Sequence, residues 1–443
     1  MDSTNLKNIQ SEVWLFLQKS LGKASESDIR DLLAISLFIK KAQTKIEKFD
    51  EKYTLGYLSL TFGKVLNSET LCEYIYQIEA DVIGNHFISE RLRECISNIS
   101  KIDESFINVA FEFIDNIAQD ETKDLYDILM IVLEDICGYR TKGYYYNLSL
   151  FKLESAIINC ADGKTILDDF CGMGVSANEI ANSKGKLYLQ DVNQECVAMA
   201  SIVTYLKGTE IGSIDCSDSL LNNNYKDLQF DIVAVEPDFG MRRNIEYIKS
   251  IPDDNIISNG IDDNESIEIR HVLSKLKDDG VAMVLVGAGM LFKSGRFAKT
   301  REKLLVDKNI DAIIELPPGV FYPYTNIATA LIILRKNKTD NTVYFYNTKH
   351  CFVRERNGKM TITDENICNV AEAYHAKKEI DGVCKNVPIE EIVLNESVLF
   401  SAQYLYDKDK EIEVEDLDVL QYEYDKLFKS LTEIDSKLNE LRN

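Results

Sequence analysis

From about residue 141 to residue 350, short apolar runs alternate with amphipathic segments, and that alternation limits the chain to few folds. The apolar runs fall at 165–169, 186–190, 230–236, 281–287, 310–316, 328–335 and 342–346. Segments with apolar residues at helical spacing lie between the earlier runs, at about 175–184, 193–206, 264–277 and 297–308. Strands alternating with helices build a doubly wound, mostly parallel α/β sheet, because each crossover helix covers one face of the sheet. The last two runs, TALIILRK and TVYFYN, are separated only by Asn337 to Asn341. A link that short predicts an antiparallel pair rather than a crossover.

Residues 1–140 differ: they contain no proline and carry apolar stripes at helical spacing. Ile29, Leu32, Leu33 and Leu37 form one stripe, with Ser25 and Asp28 ahead of it in capping-box register. Phe106, Val109, Ala110, Phe113, Ile114 and Ile117 form a second, and Leu125, Leu129, Val132, Leu133 and Ile136 a third. Such stripes are core-facing, so an all-helical N-terminal domain is expected over 1–140, followed by the α/β domain over 141–385. The remaining segment, 386–443, ends in a heptad seam. Leu417, Leu420, Tyr424, Leu427, Leu431, Ile434, Leu438 and Leu441 alternate spacings of three and four. That period predicts a coiled-coil-like helix over about 412–442, docking in cis, on itself or on a partner.

The stretch Thr165 to Asn178, TILDDFCGMGVSAN, carries the chemistry. A strand ends on Asp168 and Asp169, Gly172 and Gly174 make a tight turn, and a helix follows. Gly172 through Ala177 satisfies the dinucleotide pattern G-x-G-x-x-A, with Asp191 ending the next strand. Two features argue for another ligand. Asp168 stands at the strand end four residues before Gly172, where it repels a pyrophosphate and suits an amino group. A second loop, Glu236-Pro237-Asp238-Phe239, ends a later strand and offers an acceptor pocket. The D-x-x-x-G-x-G spacing suits S-adenosylmethionine, whose amino and carboxylate ends need opposite charges and whose ribose needs an acid such as Asp191.

The formal net charge of −23 disfavours unaided binding to a phosphate backbone. Arg242-Arg243 and the strip KSGRFAKTR, Lys293 to Arg301, are local basic exceptions, and a solvated face is the ordinary reading of each. Ten scattered cysteines without a C-x-x-C pair read as small core residues in a reducing compartment, and the isolated histidines show no metal spacing. No apolar run is long enough to span a bilayer, and the N-terminus lacks the pattern of a secretory signal. A cytoplasmic protein with no resident metal is expected.

These residues resemble the N6-adenine DNA methyltransferase family, and most closely the modification subunits of type I restriction–modification systems. Gly143-Tyr144-Tyr145-Tyr146 is similar to the family's glycine–aromatic segment, with Asn147-Leu148 where Thr-Pro is usual. Asp168 to Gly174 resembles D-P-A-C-G-[ST]-G, keeping Asp168, Cys171, Gly172 and Gly174 while Asp169 replaces the proline. Asp191 falls at the ribose-binding acid, and Asp218 within Cys216–Leu220 at the acid beside the cofactor adenine. Residues 295–336, with an arginine-bearing helix, then L-P-x-G-x-F and I-x-T before an apolar strand, resemble these subunits most specifically; a weaker echo lies near Leu399–Leu405.

The resemblance implies a class I (Rossmann-like) S-adenosylmethionine-dependent methyltransferase fold, in which an antiparallel strand finishes a parallel sheet. It also implies N6-adenine methylation of DNA, bound through a specificity subunit that reads the sequence. Tyr145, Asp168, Cys171, Gly172, Gly174, Asp191 and Asp218 are the cofactor-binding candidates. The family's catalytic loop is N-P-P-[FY]; here Glu236, Pro237, Asp238 and Phe239 stand in its place. In the usual loop, the asparagine oxygen and a proline carbonyl accept hydrogen bonds from the adenine amine, and the aromatic stacks on the flipped base. With this loop the chain is an active adenine methyltransferase with an altered acceptor site, or a catalytically silent subunit that binds cofactor or partners. Transfer to a protein or small-molecule amine is a third possibility.

Overall fold

The structure is a computed structural model that describes residues 3–118, 124–137, 147–222, 224–237, 244–252 and 264–405. Gly143–Tyr146, Asp238, Phe239, Arg242, Arg243 and the heptad segment 412–442 lie outside the described residues.

Seven helices come first: α1 (Ser3–Ser20), α2 (Glu26–Lys45), α3 (Leu55–Thr61), α4 (Ser68–Val82), α5 (Phe87–Asp103), α6 (Ser105–Ile117) and α7 (Leu125–Cys137). Ser25 caps α2 as its spacing predicts, its Oγ accepting from the Asp28 N–H at 3.1 Å. Ile29, Leu32, Leu33 and Leu37 are buried. The second stripe holds except at Val109, which is 42% exposed at its edge.

After α8 (Leu148–Ile158) the α/β part runs β1 (Thr165–Asp168), α9 (Val175–Ala181), β2 (Lys186–Asp191), α10 (Gln194–Lys207), β3 (Glu210–Cys216) and β4 (Phe230–Val235). It continues α11 (Ile245–Ser250), α12 (Asn264–Lys275), β5 (Leu276–Gly287), α13 (Gly289–Phe292), α14 (Arg296–Val306), β6 (Ile310–Leu316), β7 (Thr329–Arg335) and β8 (Thr342–Asn347). A small hairpin, β9 (Phe352–Arg354) with β10 (Met360–Ile362), precedes α15 (Asp364–His375) and β11 (Cys384–Pro388). The main sheet has the order β11-β8-β6-β7-β5-β4-β1-β2-β3. It is parallel except for β7, which opposes β5 and β6, and β11, which opposes β8.

Two expectations fail here. β3, EIGSIDC, was not drawn as a strand, because it has few apolar residues and sits at the sheet edge where one side suffices. Its Gly212 makes room for a neighbour, since a Cβ there would lie 2.4 Å from the Tyr188 ring. The second is the antiparallel β7–β8 pair. β7 instead inserts between β5 and β6, and β8 lies parallel to β6 on its far side. All but the last residue of β7 are buried, so its bare apolar run is best covered with a strand on each side. Stepping over one strand spans only about 10 Å, which the six-residue link between Arg335 and Thr342 covers with ease.

The sheet carries an apolar core on each face. One contains Leu150, Leu153 and Ile157 of α8 with Val370 and Tyr374 of α15; the other contains Ile269 and Val272 of α12 with Leu304 and Leu305 of α14. A third core runs through the N-terminal helices and takes in Met199, Ile202, Val203 and Leu206 of α10. The helices therefore share their interior with a helix of the sheet. No described helix is long and apolar enough to cross a membrane. The nine cysteines whose side chains are described are free, and seven of them are buried, as core residues are.

A buried charge cluster sits at this junction. Asp31 on α2 accepts from Arg30 Nε at 2.5 Å and from Arg91 Nε of α5 at 2.5 Å. Arg91 also reaches Asp28 at 3.2 Å and Glu195 of α10 at 3.6 Å. Removing one member of a buried network strands the others without water. We expect Asp31→Ala to destabilise the fold by about 3–5 kcal/mol, read as a lowered urea midpoint at unchanged slope.

Candidate functional site

Four neighbouring parallel strands, β3, β2, β1 and β4, deliver four acids to one edge of the sheet. Asp168 ends β1 and Asp191 ends β2. Asp218 follows β3 by two residues and Glu236 follows β4 directly. Loops beyond the carboxyl ends of parallel strands are where such sheets hold ligands, because there the strand order reverses and the loops part. The two stretches singled out from sequence, Thr165–Asn178 and the Glu236 loop, thus lie on adjacent strands at the same edge.

The turn between β1 and α9 has two left-handed glycines, Gly172 at φ +50° and Gly174 at φ +73°. They do different work. A Cβ on Gly174 would lie 2.9 Å from the Ala200 Cβ of α10, so glycine lets the turn seat against that helix. A Cβ on Gly172 would meet no atom of the described residues beyond its chain neighbours within 4 Å, which leaves its backbone open to a ligand. The Gly172 N–H donates to Asp191 Oδ2 at 2.9 Å, and the other Asp191 oxygen accepts from the Asn193 N–H at 2.8 Å. Cys171 is buried; its N–H donates to the Gln190 carbonyl at 3.1 Å, and burial pushes its thiol up.

Asp168 is buried and accepts from the Phe170 N–H at 3.2 Å. Burial holds its carboxyl well above the ordinary range, reinforced by Asp169, Asp191 and Glu154 nearby, with the Phe170 N–H opposing. Asp218 Oδ1 accepts from the N–H groups of Leu220 and Leu221 at 3.0 and 3.1 Å. Both its oxygens accept from the Tyr247 hydroxyl of α11 at 2.8 Å, so the chain beyond the acceptor loop folds back toward the β3 loop. Glu236 Oε1 is enclosed with no hydrogen-bond partner among the described residues, and burial pushes the carboxyl up to about 8. Pro237 beside it is buried.

Several residues to which sequence reasoning gave no role shape the site. Gln190, fully buried, donates to the Ser217 carbonyl and to Ser219 Oγ, tying β2 to the β3 loop. Glu154 of α8 is buried, accepts from Ser176 Oγ at 2.7 Å, and is pushed up to about 8 by burial. His271 of α12 meets Asp169 at 2.6 Å. Asn147 donates to the carbonyls of Val320 and Met360 at 2.9 and 3.0 Å, fixing the segment before α8 against the L-P-x-G-x-F loop. None carries a sequence signal beyond its residue type, because each partner lies far along the chain.

The basic strip needs a correction. Arg301 is not a surface cation: it is buried and donates to the carbonyls of Ser397, Met290 and Lys293 at 2.7–2.9 Å. Lys293, Arg296 and Lys299 remain exposed.

The profile of the N-6 DNA Methylase family matches residues 118–413. The methylase subunit of the type I restriction enzyme MjaVIII of Methanocaldococcus jannaschii is 26% identical over 311 residues, 63% of this chain and 53% of that protein. The MpnII methylase subunit of Mycoplasma pneumoniae is 29% identical over 177 residues, 39% of this chain and 32% of that protein. The chain thus spans about half the length, or less, of these curated relatives. Among solved structures, the type I restriction-modification methyltransferase subunit of Streptococcus thermophilus superposes with a TM-score of 0.69 at 18% identity, over 90% of this chain and 99% of that one. A chain from a structure of the type I R-M system gives 0.67 at 17%, over 99% of both. The antiparallel β7 between β5 and β6 and the likeness to these subunits make the fold that of the class I S-adenosylmethionine-dependent methyltransferases. With more than half of its residues inside the family match, the chain belongs to the N-6 DNA methylase family.

Proposed function

We propose that the chain is an S-adenosylmethionine-dependent N6-adenine DNA methyltransferase subunit of a type I-like restriction–modification system. The observation that carries this reading is the set of four acids on adjacent strand ends around an open glycine turn. That lining fits a cofactor with a cationic sulfonium and an ammonium group and repels a pyrophosphate. When bound, S-adenosylmethionine supplies an electrophilic methyl group. In this reading Asp168 accepts the amino group of its methionyl end, Asp191 the ribose hydroxyls, and Asp218 sits by the adenine, with Tyr145, Cys171, Gly172 and Gly174 completing the cradle.

The acceptor side rests on Glu236 to Phe239. Glu236 and the Pro237 carbonyl accept hydrogen bonds from the adenine amine, the Glu236 carboxylate favours the positive nitrogen formed on transfer, and Phe239 stacks on the flipped base. A second reading, a catalytically silent subunit, draws support from the same residue. With its carboxyl held up to about 8, Glu236 carries little of the charge that would favour the positive nitrogen in the ligand-free protein at neutral pH. The net charge of −23 favours DNA bound through a specificity subunit, with the 412–442 helix as the docking element in the 386–443 segment. We take the helical domain over 1–140 and the methyltransferase domain over 141–385 to act in the cytoplasm, away from membranes.

Calorimetric titration is expected to show S-adenosylmethionine binding, and its absence sinks both the site assignment and the active reading. Methyl transfer to an adenine-containing duplex, assayed with the DNA-reading partner present, is expected to occur and to fall about ten-fold or more in Glu236→Ala. If the native protein is inert and Glu236→Asn with Asp238→Pro gains activity, the silent reading stands.

Glu236 also sets a pH dependence of stability. Its folded value, about 8, lies above that of an ordinary carboxyl in the unfolded chain. The neutral acid is the form the fold favours, so this contribution is fully present below the unfolded value and is lost as pH rises toward 8. Glu236→Gln is expected to melt higher than the native protein at about pH 8, with the gap closing near about pH 5.

A further inference from the structure

The family pattern at the cofactor turn has proline where this chain has Asp169, and the structure shows what the exchange brings. Asp168 and Asp169 leave the end of β1 in sequence, and successive side chains of an extended segment point to opposite faces. Leu167, on the Asp169 side, packs in the core that contains Ile269 and Val272 of α12; Ile166, on the Asp168 side, packs in the opposite core. Asp169 accordingly turns away from the ligand edge and meets α12. Its Oδ2 lies 2.6 Å from His271 Nε2, and both side chains are almost wholly buried. The Phe170 ring stands edge-on to the His271 ring, with centroids 6.2 Å apart at 89°. The Asp169 carbonyl accepts from Ser219 Oγ, which in turn is held by Gln190.

Asp169 is thereby fixed at two points, main chain to the β3 loop and side chain to α12. α12 is the helix that ends the stretch begun by the acceptor loop at Glu236. We propose that Asp169 and His271 are a positioning pair, whose hydrogen bond holds the Asp168-bearing loop ready for the cofactor and ties it to the helix that closes the acceptor segment. Where a proline stiffens the turn by locking its own φ, here a long-range polar contact does so. Neither residue touches the ligand in this scheme; they act through Asp168. The proposal rests on the S-adenosylmethionine reading above.

The test is titration of the native protein, Asp169→Asn, His271→Leu and His271→Gln with S-adenosylmethionine and with 5′-methylthioadenosine, which lacks the methionyl end. Asp169→Asn and His271→Leu are expected to weaken S-adenosylmethionine about ten-fold while leaving 5′-methylthioadenosine within about two-fold, as loss of one buried hydrogen bond implies. His271→Gln retains a donor and is expected to recover most of the affinity. The double variant Asp169→Asn with His271→Leu should be no weaker than either single one, because the two act as one unit. Circular dichroism establishes folding, and if His271→Leu does not fold, Asp169→Asn and His271→Gln carry the comparison. A lowered melting temperature with both affinities unchanged, or equal loss for both ligands, overturns the positioning role and leaves the cofactor reading intact. Failure of the native protein to bind S-adenosylmethionine overturns both.

Discussion

The hydrogen bond from the Gly172 N–H to the Asp191 carboxylate is the contact on which the candidate site depends. It joins the turn after β1 to the end of β2, and it requires a backbone that glycine adopts with ease at φ +50°. A side chain at Gly174 would push away α10, the helix that follows Asp191. The turn, the acid and the helix are thus one unit, set by two residues with no side chain. What this unit leaves uncovered is the open face of Gly172.

Burying acids is costly, and several are buried around the strand ends. Asp168, Glu154 and Glu236 are each held above the ordinary carboxyl range chiefly by burial. A chain of net charge −23 that also concentrates acids in its interior is poorly arranged for an anion and well arranged for a cation. The same physics separates the two halves of the site. Asp191 and Asp218 accept several N–H and O–H donors, whereas Glu236 Oε1 has none among the described residues.

Much of this was legible in the sequence because it is local. The strand ending at Asp168, the glycine turn and the capped helix after Ser25 depend on neighbours within a few residues. β7 was legible as a strand but not in its position, since sheet order depends on which faces need cover rather than on loop length. β3 escaped because an edge strand with a glycine carries little apolar signal. Arg301 was read within a basic strip, yet its donors are spent on carbonyls up to 96 residues away. Asp169 stood out only as a departure from a pattern; its partner, 102 residues on, gives the departure a physical reason.

The shared interior of the N-terminal helices and α10 bears on how such a chain can change over evolutionary time. Met199, Ile202, Val203 and Leu206 belong to a helix that also follows Asp191, so one element faces the helical bundle and the ligand edge together. The bundle is no detachable appendage: to exchange it, a lineage must recast the packing surface of α10 in the same step. Substitutions across that boundary are bound to drift in concert, and a graft of the sheet alone would carry an oily helix into water.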